Sequence, residues 1–164
     1  MTPVMSPPKP RPILVLGFGN PSRGDDALGP AVIERLQSAP DLVATGARLL
    51  TDFQPQIEHV LDLEGCARVI FVDATMTGSA PFVHAPLSPA PETAYSTHAL
   101  SPAVLLGLYR KVNGRAPPPA WLLAIRGERF ALGEPLSPSA RAHLDAAVAF
   151  LSELLRMPDR ATLE

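Results

Sequence analysis

The sequence predicts an α/β fold: a three-layer sandwich in which a mainly parallel, twisted sheet of about five strands lies between helices on both faces. Three observations carry this prediction. Residues 13–18 (ILVLGF), 68–73 (RVIFVD) and 121–126 (WLLAIR) are short apolar runs of the kind that form strands buried on both faces. Segments with apolar residues at helical spacing lie between them. Strands that alternate with helices are joined by crossovers, which makes neighbouring strands parallel.

The elements follow in order. Five prolines stand within the first twelve residues, so residues 1–11 are expected to be a flexible lead-in that supplies no ladder donors at those positions. The first strand starts at Ile13, and a turn-rich loop covers residues 17–29. Residues 30–38 put Val32, Ile33 and Leu36 on one helical face with Glu34 and Arg35 opposite, and Pro30 suits a first helical turn. Residues 47–52 predict a second strand. Residues 55–63 predict a second helix, with Ile57, Val60, Leu61 and Leu63 as its apolar positions. The run at 68–73 is β-branched and aromatic, the strongest strand signal in the chain. Residues 81–87 fit an edge strand, where proline is tolerated.

Ser101-Pro102 reads as an N-cap followed by a first-turn proline, and that helix should stop near Gly114. After the strand at 121–126, Ser137-Pro138 repeats the cap. The last helix then places Leu144, Val148, Leu151 and Leu155 on one stripe. The organisation is one domain over residues 12–156 and a flexible tail over 157–164. At 164 residues, with 46% hydrophobic and 18% charged, the chain has enough apolar material for a single core.

Charge and composition exclude several function classes. A net charge of −2 lacks the basic excess that nucleic acid or an anionic membrane surface would require. No apolar run approaches a membrane span and no secretory core is visible, so a cytoplasmic protein is expected. The single cysteine, Cys66, rules out an internal disulfide and a cysteine-rich zinc site, and its apolar flanks suit packing.

The loop Gly17-Phe18-Gly19-Asn20-Pro21-Ser22-Arg23-Gly24-Asp25-Asp26 joins the first strand to the first helix. A dinucleotide site there would put Asp52, at the end of the second strand, on a ribose. The glycines, however, read GxGxxxxG rather than GxGxxG, and two aspartates occupy the place of a pyrophosphate. The lysine and hydroxyl of a phosphate-binding P-loop are also missing. One aspartate near a helix start is usually a cap; two adjacent ones exceed what capping requires. Asp73 closes the third apolar run and His98 precedes the helix capped by Ser101, whereas His59, His84 and His143 fall on helix or edge-strand positions. In an open parallel sheet, strand ends share one rim, where Asp26, Asp73 and His98 would meet. Two carboxylates and an imidazole suit a divalent transition metal with open positions, or acid–base chemistry without one.

These motifs resemble those of the maturation endopeptidases of nickel–iron hydrogenases. The similarity runs through ILVLGFGNPSRGDDALGPAVIERL, VIFVDAT, THALSPAVLLGLY and IRGERFALGEPLSP, and spans about residues 12–155. It implies a peptidase that removes a C-terminal extension from the nickel-loaded precursor large subunit. It also implies metal contacts at Asp26, Asp73 and His98, nickel supplied by the substrate, and no organic cofactor. Asp25, the other member of the acidic pair, is the weaker candidate. The segment Thr51-Asp52-Phe53-Gln54-Pro55-Gln56 departs from the glycine-rich turn of many relatives and resembles the branch serving cytoplasmic, NAD-linked bidirectional hydrogenases. Asn20, Asp52, Phe53 and Gln54 are thus expected beside substrate. The alternatives are a non-catalytic checkpoint that binds the nickel-loaded subunit and a nucleotide-binding enzyme.

Overall fold

The computed structural model describes residues 2–6, 11–91 and 100–157. A five-stranded sheet has the order β2-β1-β3-β5-β4. Its strands are β1 (Ile13–Phe18), β2 (Arg48–Asp52), β3 (Arg68–Thr75), β4 (Phe82–Leu87) and β5 (Ala120–Arg126). The first three and β5 pair in parallel, and β4 runs antiparallel along β5 at the edge. The helices are α1 (Leu28–Gln37), α2 (Pro40–Val43), α3 (His59–Leu63), α4 (Pro102–Asn113) and α5 (Pro138–Arg156).

The period of two along β1 divides the core. Ile13 and Val15 face a cluster with Val32, Ile33 and Leu36 of α1 and Leu144, Leu151 and Leu155 of α5. Leu14, Leu16 and Phe18 face the opposite cluster, with Val60 and Leu63 of α3 and Val104, Leu105 and Tyr109 of α4. Each such side chain, fully buried, contributes roughly 1.5–3 kcal/mol relative to exposure. At Gly17 the strand meets the start of α1 backbone to backbone: an added Cβ would press on the Gly29 carbonyl and on Ile33. No larger residue allows that approach, and it draws the intervening loop down onto the sheet.

The caps form as the sequence predicts. Ser101 Oγ accepts the Val104 N–H at 3.2 Å, and Gly114 closes α4 in the left-handed region at φ 67°. Ser137 Oγ accepts the Ala140 N–H at 3.2 Å. Tyr109, near the end of α4, donates to Glu64, which lies just before β3. That contact sets the C-terminal half of α4 at the start of the parallel strands and its N-terminus toward their finish.

Three expectations need correction. The first helix begins at Leu28, two residues before Pro30, and follows a 3-10 turn over Gly24–Ala27. The second helix is confined to His59–Leu63, because residues 53–58 form turns; Ile57 and Leu61 are 64% and 78% exposed, so they take no part in the apolar face. Strand β3 continues to Thr75, which puts Asp73 within the ladder, opposite Ala124, rather than at its end. No helix among the described residues is long and apolar enough to cross a membrane.

Candidate active site

The site lies where β1, β2, β3 and β5 finish. Gly19 N–H donates to the Asp52 carbonyl at 3.1 Å, tying the loop after β1 to the end of β2. Gly19 has φ 146°, and a Cβ there would overlap the carbonyl of Asp26, so only glycine lets the two backbones touch. The next N–H, that of Asn20, donates to Asp26 Oδ2 at 2.7 Å. The Asn20 side chain accepts the Ser22 N–H at 2.9 Å and so shapes the turn itself.

The two adjacent aspartates divide. Asp25 is fully buried, and its carboxylate accepts the N–H groups of Glu128, Arg129 and Ser137 and the hydroxyl of Ser137. Burial pushes its pKa up, but these bonds outweigh burial and hold it below the usual carboxylate value. Asp25 N–H in turn donates to the Arg129 carbonyl at 2.6 Å, and Gly24 N–H to the Glu134 carbonyl at 3.0 Å. Asp25 thus clamps the 3-10 turn to the β5–α5 loop. Asp26, one residue on, is half-buried and takes no part in that clamp.

Asp73 is half-buried, and its Oδ1 accepts the Ala74 N–H at 2.9 Å. Burial raises its pKa to about 6; the Ala74 bond opposes this and the nearby negative charge of Asp26 adds to it. The structure therefore brings Asp26 and Asp73 within electrostatic reach of each other. A carboxyl that titrates near 6 is suited to exchange protons close to neutral pH, and a pair of carboxylates is suited to a divalent cation brought from outside. His98 lies outside the described residues. Among those described, no group of three or more histidine, cysteine, aspartate or glutamate side chains is placed to hold a metal ion.

Asp52 sits at the end of β2, in register with Phe18. Its Oδ1 accepts the Phe53 N–H at 2.7 Å, and its Oδ2 lies 3.2 Å from Nε2 of His59. Phe53 is 64% exposed, and Gln54 is exposed beside it. His59 is the residue that sequence reasoning passed over: it falls on a helix position, and only its spacing of seven from Asp52 hints at a contact across the loop. Of the other histidines, His143 donates through Nδ1 to the Arg126 carbonyl at 2.7 Å, and His84 stacks on Trp121 and meets Phe150 edge-on. Cys66 is buried, and burial, against the opposing charge of Arg48, pushes its thiol up, away from nucleophilic chemistry.

No protein-family model and no curated protein matches the chain. Solved structures do. The nickel–iron hydrogenase maturation protease HycI from Thermococcus kodakarensis superposes with a TM-score of 0.68 at 24% identity, over 90% of this chain and 94% of that one. The hydrogenase maturating endopeptidase HybD from Escherichia coli gives 0.65 at 25% identity, over 88% and 92%. The solution structure of an endopeptidase from Escherichia coli gives 0.66 at 27% identity, over the same shares of 88% and 92%. The first of these likenesses is one of fold; the other two extend to sequence.

Proposed function

From a chain that has the fold of the nickel–iron hydrogenase maturation endopeptidases over about nine-tenths of its length, we propose a peptidase that trims the C-terminal extension of a nickel-loaded hydrogenase large subunit. The observation that supports this reading is that Asp26 lies close enough to Asp73 for its charge to act on that carboxyl. The fold invests a second, buried aspartate, Asp25, in holding the turn that bears Asp26.

In this reading nickel arrives as part of the substrate. Asp26 and Asp73, with His98, receive it and so fix the scissile segment relative to the rim; such positioning contributes several kcal/mol to lowering a barrier. Water adds to the peptide carbonyl, the C–N bond breaks, and the departing amine takes the proton that the water gave up. The Asp52–Gln54 loop contacts the substrate beside this point and Asn20 shapes the turn beneath it. The reaction belongs in the compartment where the subunit is assembled, which for this reading is the cytoplasm.

The test is incubation of the purified protein with nickel-loaded precursor, followed by intact mass measurement. Catalytic loss of a C-terminal fragment is expected, with nickel-free precursor left whole. Stoichiometric binding with the extension intact would refute cleavage and favour a checkpoint protein.

A further inference from the structure

We propose that His59 is a positioning residue that locks the β2–α3 loop in the conformation that binds substrate; this rests on the endopeptidase reading above. The ring is 7% exposed and packs against Phe18 with centroids 5.6 Å apart. Its Nδ1 accepts the Gln56 N–H at 2.8 Å. An Nδ1 that accepts carries no proton, so the ring is the neutral tautomer with its proton on Nε2, directed at Asp52 Oδ2 3.2 Å away. One side chain thereby ties together both ends of the segment that presents Phe53 and Gln54. The segment has no sheet partner, and its backbone bonds are local turns such as His59 N–H to the Gln56 carbonyl.

A leucine at this position would fill the same space against Phe18. It would leave the Gln56 N–H without its acceptor and Asp52 Oδ2 without the imidazole donor, and both residues belong to the loop rather than to the core. The imidazole therefore serves the loop's shape. The loop is coupled to the carboxylates by backbone alone: Asp52 carbonyl accepts from Gly19, and the neighbouring N–H, of Asn20, holds Asp26. Removing the imidazole frees Phe53 and Gln54 while the β1 loop keeps its own bonds, so substrate affinity is what should suffer.

His59→Leu, His59→Asn and His59→Gln separate the two contacts. Asparagine can reproduce the acceptor toward Gln56, and glutamine the donor toward Asp52. In steady-state cleavage of nickel-loaded precursor, His59→Leu is expected to raise KM about tenfold with kcat within about twofold, and His59→Gln to recover most of the loss. Amide exchange at Phe53 and Gln56 is expected to be at least about tenfold faster in His59→Leu. An unchanged KM in all three variants, or a fall in kcat alone, would overturn the proposal. Should the leucine variant fail to fold, equal KM values for the glutamine variant, the asparagine variant and the wild type would do the same. A wild type that cleaves nothing refutes the endopeptidase reading instead, and amide exchange then decides the role of His59: unchanged exchange rejects it.

Discussion

Ser137 gives Asp25 both its backbone N–H and its hydroxyl, each at 2.7 Å, across 112 positions of sequence. The bond pair joins the cap of α5 to the turn after β1, and it leaves the neighbouring Asp26 as the member of the acidic pair that faces outward. Two residues of the same type and adjacent number thus carry separate loads.

Substitution should separate them. Asp25→Asn turns an amide N–H₂ toward groups that are themselves donors, and should cost about 2–4 kcal/mol, a fall of roughly 6–12 °C in Tm for a domain of this size. Asp26→Asn loses cleavage but should change Tm by less than about 3 °C, since among the described residues only the Asn20 N–H bonds to that carboxylate. Calorimetry of the two variants beside the mass assay checks both.

The pH dependence of stability should carry the mark of Asp73. Its folded pKa, about 6, lies above the unfolded value of 3.8. The folded state therefore holds the proton more tightly, and the contribution of this group falls as pH rises from about 4 to 6. Asp25 has the opposite sign: its folded pKa is lowered, so its contribution is present above the unfolded value and lost as pH drops through the folded one. Asp73→Asn should raise Tm at pH 7 and flatten the pH slope between about 4 and 6, while abolishing cleavage. Melting curves across pH for wild type and variant decide this, and an unchanged slope would reject the assignment.

Gly19→Ala tests the fit of backbone to backbone. The Cβ has no space against the Asp26 carbonyl and φ is 146°, so the turn must shift. A cost of roughly 1–3 kcal/mol is expected, and a fall in kcat of at least about tenfold as Asp26 is displaced. Normal kinetics in a folded variant would show that the turn tolerates the shift.

The lead-in should be dispensable. Residues 2–6 are exposed and belong to no helix or strand, and β1 begins only at Ile13. Deleting residues 1–9 is expected to move Tm by less than about 2 °C and to leave processing intact. A larger drop would mean that the segment braces the domain.

Element order and strand identity are legible in the sequence, because apolar runs and alternating elements dictate a mainly parallel sheet. The extent of α3 is not. Ile57 and Leu61 fit a helical stripe by spacing, yet Ile57 falls in the turns before the helix and Leu61 on the helix's outer face, so both lie in solvent. The work of Asp25 was hidden for another reason: its partners are more than 100 residues away, and no local pattern marks a buried carboxylate that accepts four bonds. His59 was passed over because its value lies in two loop contacts rather than in a motif.

The direction of the helices has a practical sequel. Arg11 leads into the start of β1, and Arg156, at the end of α5, pairs with Asp41 in the short helix that precedes β2. Both extremities of the folded body therefore leave from the end of the sheet opposite the carboxylates. A surface tether, an affinity handle or a fused reporter joined at Arg11 or Met157 should hold the folded body from behind. The end of the sheet that carries Asp26 and Asp73 then stays clear of the attachment.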